Sequence, residues 1–153
     1  MFDLHFDEAF DVIRSEGAIY IIGFETGLRA WRPLLKAGGF VAVTELSWIK
    51  PDPPPEILDN WARDYPGMVS MEGNLSRIRA AGYREVESFV LPESSWWEPY
   101  YLPMQARVQE LREKYRGNAE AQGLLDAELI EIEMYRKYSA WYGYFFYVMK
   151  MTD

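Results

Sequence analysis

Cysteine is absent from this 153-residue chain, and histidine occurs once, at His5. The first absence excludes disulfides and thiolate-bound metals. The second leaves too few imidazoles for a histidine metal site, so no metal is expected and His5 reads as structural or exposed. Positive charge is also scarce: 16 Lys and Arg stand against 24 Asp and Glu, a formal charge of −8. The basic residues form no cluster, which argues against a nucleic-acid partner. No apolar run approaches the roughly 20 residues of a membrane span. MFDLHFDEAF lacks the basic, then apolar, order of a signal peptide. A soluble cytoplasmic protein is the reading that remains. The chain has no repeats and no low-complexity tract.

What is abundant points to a folded chain. Hydrophobic residues make up 49% and aromatic residues 16% of the sequence, enough for one domain with a sizeable core over residues 1–153. The segment Phe10 to Trp48 organises it. A short apolar run (Phe10, Val12, Ile13) stops at Ser15-Glu16-Gly17, an amphipathic segment follows over Ile19 to Ala30, and Arg32-Pro33 opens a short final turn. Gly38-Gly39 then turns the chain into a second apolar run, Phe40 to Val43. Strand, helix, glycine turn and strand within about 35 residues is the pattern of a βαβ unit in a parallel sheet. The second run lacks alternation, as expected of a strand covered on both faces. Ligands of such sheets sit beyond the carboxyl ends of the strands, here Arg14 to Ala18 and Thr44 to Trp48.

Phe10-Asp11-Val12-Ile13, the helix after it, and Leu35-Lys36-Ala37-Gly38-Gly39 before the second strand resemble the second half of a class I S-adenosylmethionine-dependent methyltransferase. Ala37 stands where that family usually has proline. The resemblance implies an α/β, Rossmann-like fold, with a mostly parallel sheet, an antiparallel C-terminal strand and helices on both faces. The first strand here is then the family's fourth, with residues 1–9 as the loop into it. The family's glycine-rich cofactor loop and ribose-binding acid have no counterpart in this sequence, so the fold is expected to be truncated. S-adenosylmethionine is the implied cofactor, and this chain alone is expected to bind it weakly or not at all. The implied activity is methyl transfer to a small-molecule acceptor. A non-catalytic module serving oligomerisation is the alternative.

Further along, Lys50 to Pro55 is too proline-rich for a helix or a ladder. Glu56 to Arg63 and Ser70 to Ala81 read as helices, the second with Leu75, Ile78 and Ala81 on one face and Gly82 as its stop. Arg84 to Leu91 reads as a strand, with Val86, Ser88 and Val90 opposite Glu85, Glu87 and Phe89. Pro92 to Tyr101 is an aromatic-rich loop opening an acceptor-side insertion over residues 92–140. Two helices follow, Met104 to Tyr115 and Ala119 to Tyr138. The second carries a core stripe of Leu125, Leu129 and Ile132. Glu110 with Lys114 and Glu133 with Lys137 are spaced for ion pairs. Tyr144 to Lys150 closes the chain as a buried strand.

Transfer of a methyl group from a sulfonium asks little of side chains beyond proximity and alignment, with a base only when the acceptor must lose a proton. Glu16, at a strand end before a glycine, is the catalytic candidate. It is placed to hold an amine acceptor, contact the donor's amino group or act as a base; the other reading is a carboxylate favoured by the next helix's dipole. The resemblance places Arg14, Ser15, Glu16, Gly17 and Ala18 at the donor. Glu45, Ser47 and Trp48 follow the second strand into the same crevice. Tyr20 and Phe24 read as acceptor-pocket wall or core. Trp96, Trp97 and Tyr100 read as a lid for a hydrophobic or cationic acceptor, or as core filling. A sheet lacking its first half would leave the strand Phe10 to Arg14 as an open edge, and a two-fold homodimer through that edge is the expected assembly.

Overall fold

The structure is a computed structural model and describes residues 6–152. His5 lies outside the described residues. The chain divides into two compact units, one of residues 1–90 with 141–153 and one of residues 91–140.

The larger unit is built on a sheet. Strand β1 (Phe10–Ser15) leads through a single tight helical turn at Ile19–Ile21 to helix α1 (Phe24–Trp31). The continuous helix expected over Ile19 to Ala30 is therefore broken. Gly23 adopts φ of 84°, a left-handed value that a helix cannot continue through and that glycine takes at no steric cost. Phe24, Leu28 and Trp31 recur at helical spacing and are all buried, while Glu25 and Arg29 pair on the outer face.

Strand β2 (Leu35–Trp48) is longer than the apolar run foretold. It begins before the glycine pair, with Leu35 opposite Phe10, and Gly38-Gly39 forms an irregularity inside the pairing rather than a turn before it. Burial alternates from Gly39 to Val43, and from Val43 to Ser47 every residue is buried. Val41 and Val43 are buried, whereas Phe40 and Ala42 are half-buried, so the two faces are covered unequally in the first of these stretches.

Helix α2 (Pro55–Asp64), the two-residue strand β3 (Val69–Ser70) and helix α3 (Met71–Ala80) follow. Ser70 caps α3 by accepting from the Gly73 N–H, and Gly82 with φ of 85° ends that turn. Strand β4 (Tyr83–Val90) and the last strand β5 (Tyr142–Met151) complete the sheet in the order β1-β2-β5-β4, with β3 beside β2. Only β5 runs against the others. The strict alternation expected of β4 is interrupted by a bulge between Glu85 and Glu87. Glu85 and Ser88 thereby share a face and a hydrogen bond, and Phe89 stacks on Phe146.

The core lies between the sheet and helices α1 and α3. Val41, Val43, Tyr147 and Met149 from the strands meet Leu28, Trp31, Leu75 and Ile78 from the helices. Tyr83 fixes α1 to this core by donating to the Leu28 carbonyl at 2.9 Å.

The smaller unit is helical throughout. The aromatic segment expected to be a loop forms a short helix, α4 (Ser94–Trp96), and then a wider turn at Trp97–Tyr101 that runs directly into α5 (Leu102–Lys114). Packing overrides the loop signal of the prolines there: Trp96 and Tyr101 are buried and stack with Tyr135 of α6 (Ala119–Tyr138). Asn118 caps α6. Leu125 and Ile132 are buried along it and Leu129 is half-buried. Glu110 and Glu133 meet Arg107 and Arg136, three residues away.

Candidate functional site

The loop that leaves the carboxyl end of β1 is tied to β2 by a hydrogen bond from a backbone N–H to a side-chain hydroxyl. Gly17 N–H donates to Thr44 Oγ1 at 2.8 Å, directly after the two strands part. Gly17 has φ of 60°, and a Cβ built on it would meet only the Tyr144 hydroxyl, at 4.0 Å. The backbone there is exposed and open to close approach, the condition for binding a ligand through main-chain groups. Beside it, Arg14 and Glu16 form an ion pair with both side chains substantially exposed. In such a position the pair contributes little to stability. Ser15 and Ala18 are half-buried on either side.

Glu45 is the unusual residue of this end of the sheet. It lies on the core-facing side of β2, is 1% exposed, and accepts a hydrogen bond on Oε1 from the Tyr65 hydroxyl. Its Oε2 is buried with no hydrogen-bond partner among the described residues. Burial pushes the carboxyl up to about 7, against the lowering effect of the Tyr65 hydrogen bond and the Arg77 charge. Tyr65 is raised in turn, first by burial and then by Glu45 itself.

A polar cluster adjoins Glu45 in the strand, reaching its backbone carbonyl through Ser47 Oγ at 3.2 Å. Asn74 on α3 is fully buried, and its amide donates to Ser47 Oγ at 3.0 Å and to the Tyr147 hydroxyl at 3.4 Å. Ser47 and Tyr147 are themselves 3.0 Å apart. Arg77 Nη1 donates to the Gly67 carbonyl at 2.9 Å and to Asn74 Oδ1 at 3.3 Å. Arg77 thus ties α3 to the loop that carries Tyr65. Every member of this cluster but Glu45 Oε2 has a partner, so the orphan oxygen marks where a donor belongs.

The other sequence candidates fall in three places. Tyr20 is 46% exposed, and its ring meets that of Tyr65 edge-on at 6.1 Å. Phe24 is a core residue against Tyr147, 5.7 Å between ring centres, and Trp48 packs half-buried near Tyr142. Trp96, Trp97 and Tyr100 belong to the smaller unit, where Trp96 is core, Tyr100 is exposed and Trp97 receives Arg136 over its ring. Sequence reasoning missed Tyr65 and Asn74. A tyrosine before Pro66-Gly67 and an asparagine inside a helix carry no local mark of pairing with a strand 20 or more residues away. No grouping of three or more possible metal ligands occurs among the described residues.

No family model and no curated protein matches the sequence. Solved structures do match. A SAM-dependent methyltransferase from Geobacter sulfurreducens, in complex with S-adenosyl-L-homocysteine, is 18% identical with a TM-score of 0.72, over 95% of this chain and 59% of that one. One from Thiobacillus denitrificans, in the same complex, is 21% identical with a TM-score of 0.74, over 98% and 61%. A putative sarcosine dimethylglycine methyltransferase from Galdieria sulphuraria is 18% identical with a TM-score of 0.73, over 100% and 58%. This chain spans about three fifths of the length of each. Its fold is the Rossmann-like α/β fold of the class I S-adenosylmethionine-dependent methyltransferases, as the resemblance in Phe10 to Val43 foretold.

Proposed function

We propose that this chain forms the acceptor-side part of an S-adenosylmethionine-dependent methyltransferase acting on a small molecule. The observation that carries the reading is Gly17, exposed, left-handed and held by Thr44 where the carboxyl ends of β1 and β2 meet. Ser15, Gly17 and Ala18 offer main-chain groups to the donor's methionine end. Glu16 is positioned for its ammonium, with Arg14 holding the carboxylate in place. When bound, the donor supplies a methyl group on a sulfonium that already carries its leaving group, so these residues need only bind and align. Tyr20 and Glu45, joined through Tyr65, are the residues this reading assigns to the acceptor, while Trp48 lies on the other face of β2. The same reading includes a cytoplasmic location, and no described helix is long and apolar enough to cross a membrane.

The test is NMR titration of this chain with S-adenosylmethionine and S-adenosylhomocysteine. Weak binding with shifts centred on Ser15 to Ala18 is expected. Donor at millimolar concentration that shifts amides elsewhere and leaves those of Ser15 to Ala18 unmoved overturns the reading.

A further inference from the structure

The geometry points to a subsite for a protonated amine at Glu45, walled by the phenol rings of Tyr65 and Tyr20. This deepens the methyl-transfer reading, and rests on it, by naming the acceptor class as a small organic molecule that carries an ammonium group.

Three observations carry the assignment. Glu45 is buried without an ion pair: the nearest cation, Arg77, has its Nη1 committed to the Gly67 carbonyl and Asn74 Oδ1. Its Oε2 lacks any donor, while every neighbouring polar group in the cluster has one. A buried carboxyl left with an empty acceptor is costly, and a ligand that brings both an N–H and a positive charge removes that cost. The second observation is the surround. Tyr65, half-buried, donates to Glu45 Oε1, the exposed Tyr20 ring meets the Tyr65 ring edge-on, and aromatic faces attract a cation. The third is place: Glu45 is the next residue in β2 after Thr44, whose side chain accepts from the Gly17 N–H, so the carboxyl stands one residue along the strand from the anchor of the loop proposed to hold the donor.

Entry is by displacement of the Tyr65 hydroxyl, the side chain that hydrogen-bonds the carboxyl. The charged group acting on Glu45 is Arg77 from α3, and the titratable phenols beside it are Tyr65 from the loop after α2 and Tyr147 from β5, both held neutral by burial; Tyr144 of β5 acts on Tyr65. A bound cation favours the carboxylate over the acid, so affinity rises as Glu45 ionises. With the carboxyl at about 7, binding is expected to be about tenfold tighter near about pH 8 than near about pH 6.

The experiment titrates the chain, carrying 13C-labelled glutamate, with ethanolamine at both pH values, with tetramethylammonium as a cation that has no N–H donor. Expected are a shift of the Glu45 carboxyl signal on adding ethanolamine, the tenfold pH effect, weaker tetramethylammonium binding, and loss of the effect in Glu45→Gln. A Glu45 signal unmoved by ethanolamine in the wild-type chain overturns the subsite without reference to any variant. Equal ethanolamine affinity in Glu45→Gln overturns it as well. S-adenosylhomocysteine added to the same sample keeps the two readings apart: shifts elsewhere that leave Ser15 to Ala18 unmoved remove the methyl-transfer reading and leave the ammonium site standing.

Discussion

Gly17 donates its N–H to Thr44 Oγ1 across the carboxyl ends of two parallel strands, 27 residues apart in sequence. The bond fixes the start of the loop that carries Ser15, Glu16 and Ala18. Thr44 is 3% exposed, so replacing it with valine keeps the shape and leaves the Gly17 N–H without its protein acceptor. Thr44→Val is expected to lower stability by about 1–2 kcal/mol, with Thr44→Ser close to wild type. Urea midpoints of the three chains check this, and weaker donor shifts in Thr44→Val are the functional counterpart.

Glu45 makes stability depend on pH in a definite direction. Its carboxyl is pushed up to about 7 in the folded chain from an ordinary 4.5. The folded state therefore prefers the protonated form. The contribution is fully present below about 4.5 and is lost as pH rises through 7. The span amounts to about 3 kcal/mol as an order of magnitude. Glu45→Gln, which cannot ionise, is expected to gain on the wild type as pH rises between those values. Urea midpoints at intervals across that range read the difference, and parallel curves would show that Glu45 does not titrate there.

Glu16 is expected to behave in the opposite way. Its ion pair with Arg14 is exposed, so Glu16→Gln should leave the urea midpoint within about 1 kcal/mol of wild type. The same substitution should diminish the shifts that S-adenosylmethionine induces at Ser15 to Ala18, because the donor's ammonium loses its carboxylate.

The frame was legible in the sequence where pattern and packing agree. β1, the burial of Leu75, Ile78 and Ala81, the span of α6 and the closing strand all follow from apolar spacing. The features that escaped are set by contacts distant in sequence. The bulge at Val86 realigns β4 so that Ser88 reaches Tyr147 and Phe89 reaches Phe146 on β5. The aromatic segment is helical because Trp96 and Tyr101 close on Tyr135. At the site, glycine after a strand end marked Gly17, whereas Glu45, expected beyond the second strand, lies within β2 on its buried face. Its burial and its bond to Tyr65 depend on a loop whose course Arg77 and Gly67 determine.

Gly82 closes the opposite end of the sheet. Its carbonyl accepts from both the backbone N–H and the hydroxyl of Thr152, at 3.0 and 2.8 Å. Arg32 donates to the Thr152 carbonyl beside it. A Cβ on Gly82 would stand 2.8 Å from Arg32 Nε, at a φ of 85° that side chains rarely adopt. Gly82→Ala is therefore expected to cost more than about 1 kcal/mol. Thermal unfolding against wild type checks it, with Gly117→Ala, where a Cβ meets nothing within 4 Å, as the control.

β1 is an edge strand among the described residues, paired with β2 on one side only. Val12 on it is 54% exposed, and Phe40 and Ala42 beside it are half-buried. An apolar edge with unpaired N–H and C=O groups recruits another strand, and a second copy offers the same edge. A two-fold axis normal to the sheet pairs β1 with itself, antiparallel, and keeps each face on its own side. Only registers that set like faces opposite satisfy this, with Val12 against Val12 or Ile13 against Ile13 at the axis. The chain is thus expected to form a dimer, and Val12→Lys, which puts two charges at or beside the axis, to return it to the monomer. Light scattering at micromolar concentration measures both. A wild-type mass of 17.9 kDa would mean that the edge is covered from within its own chain and that the dimer does not form.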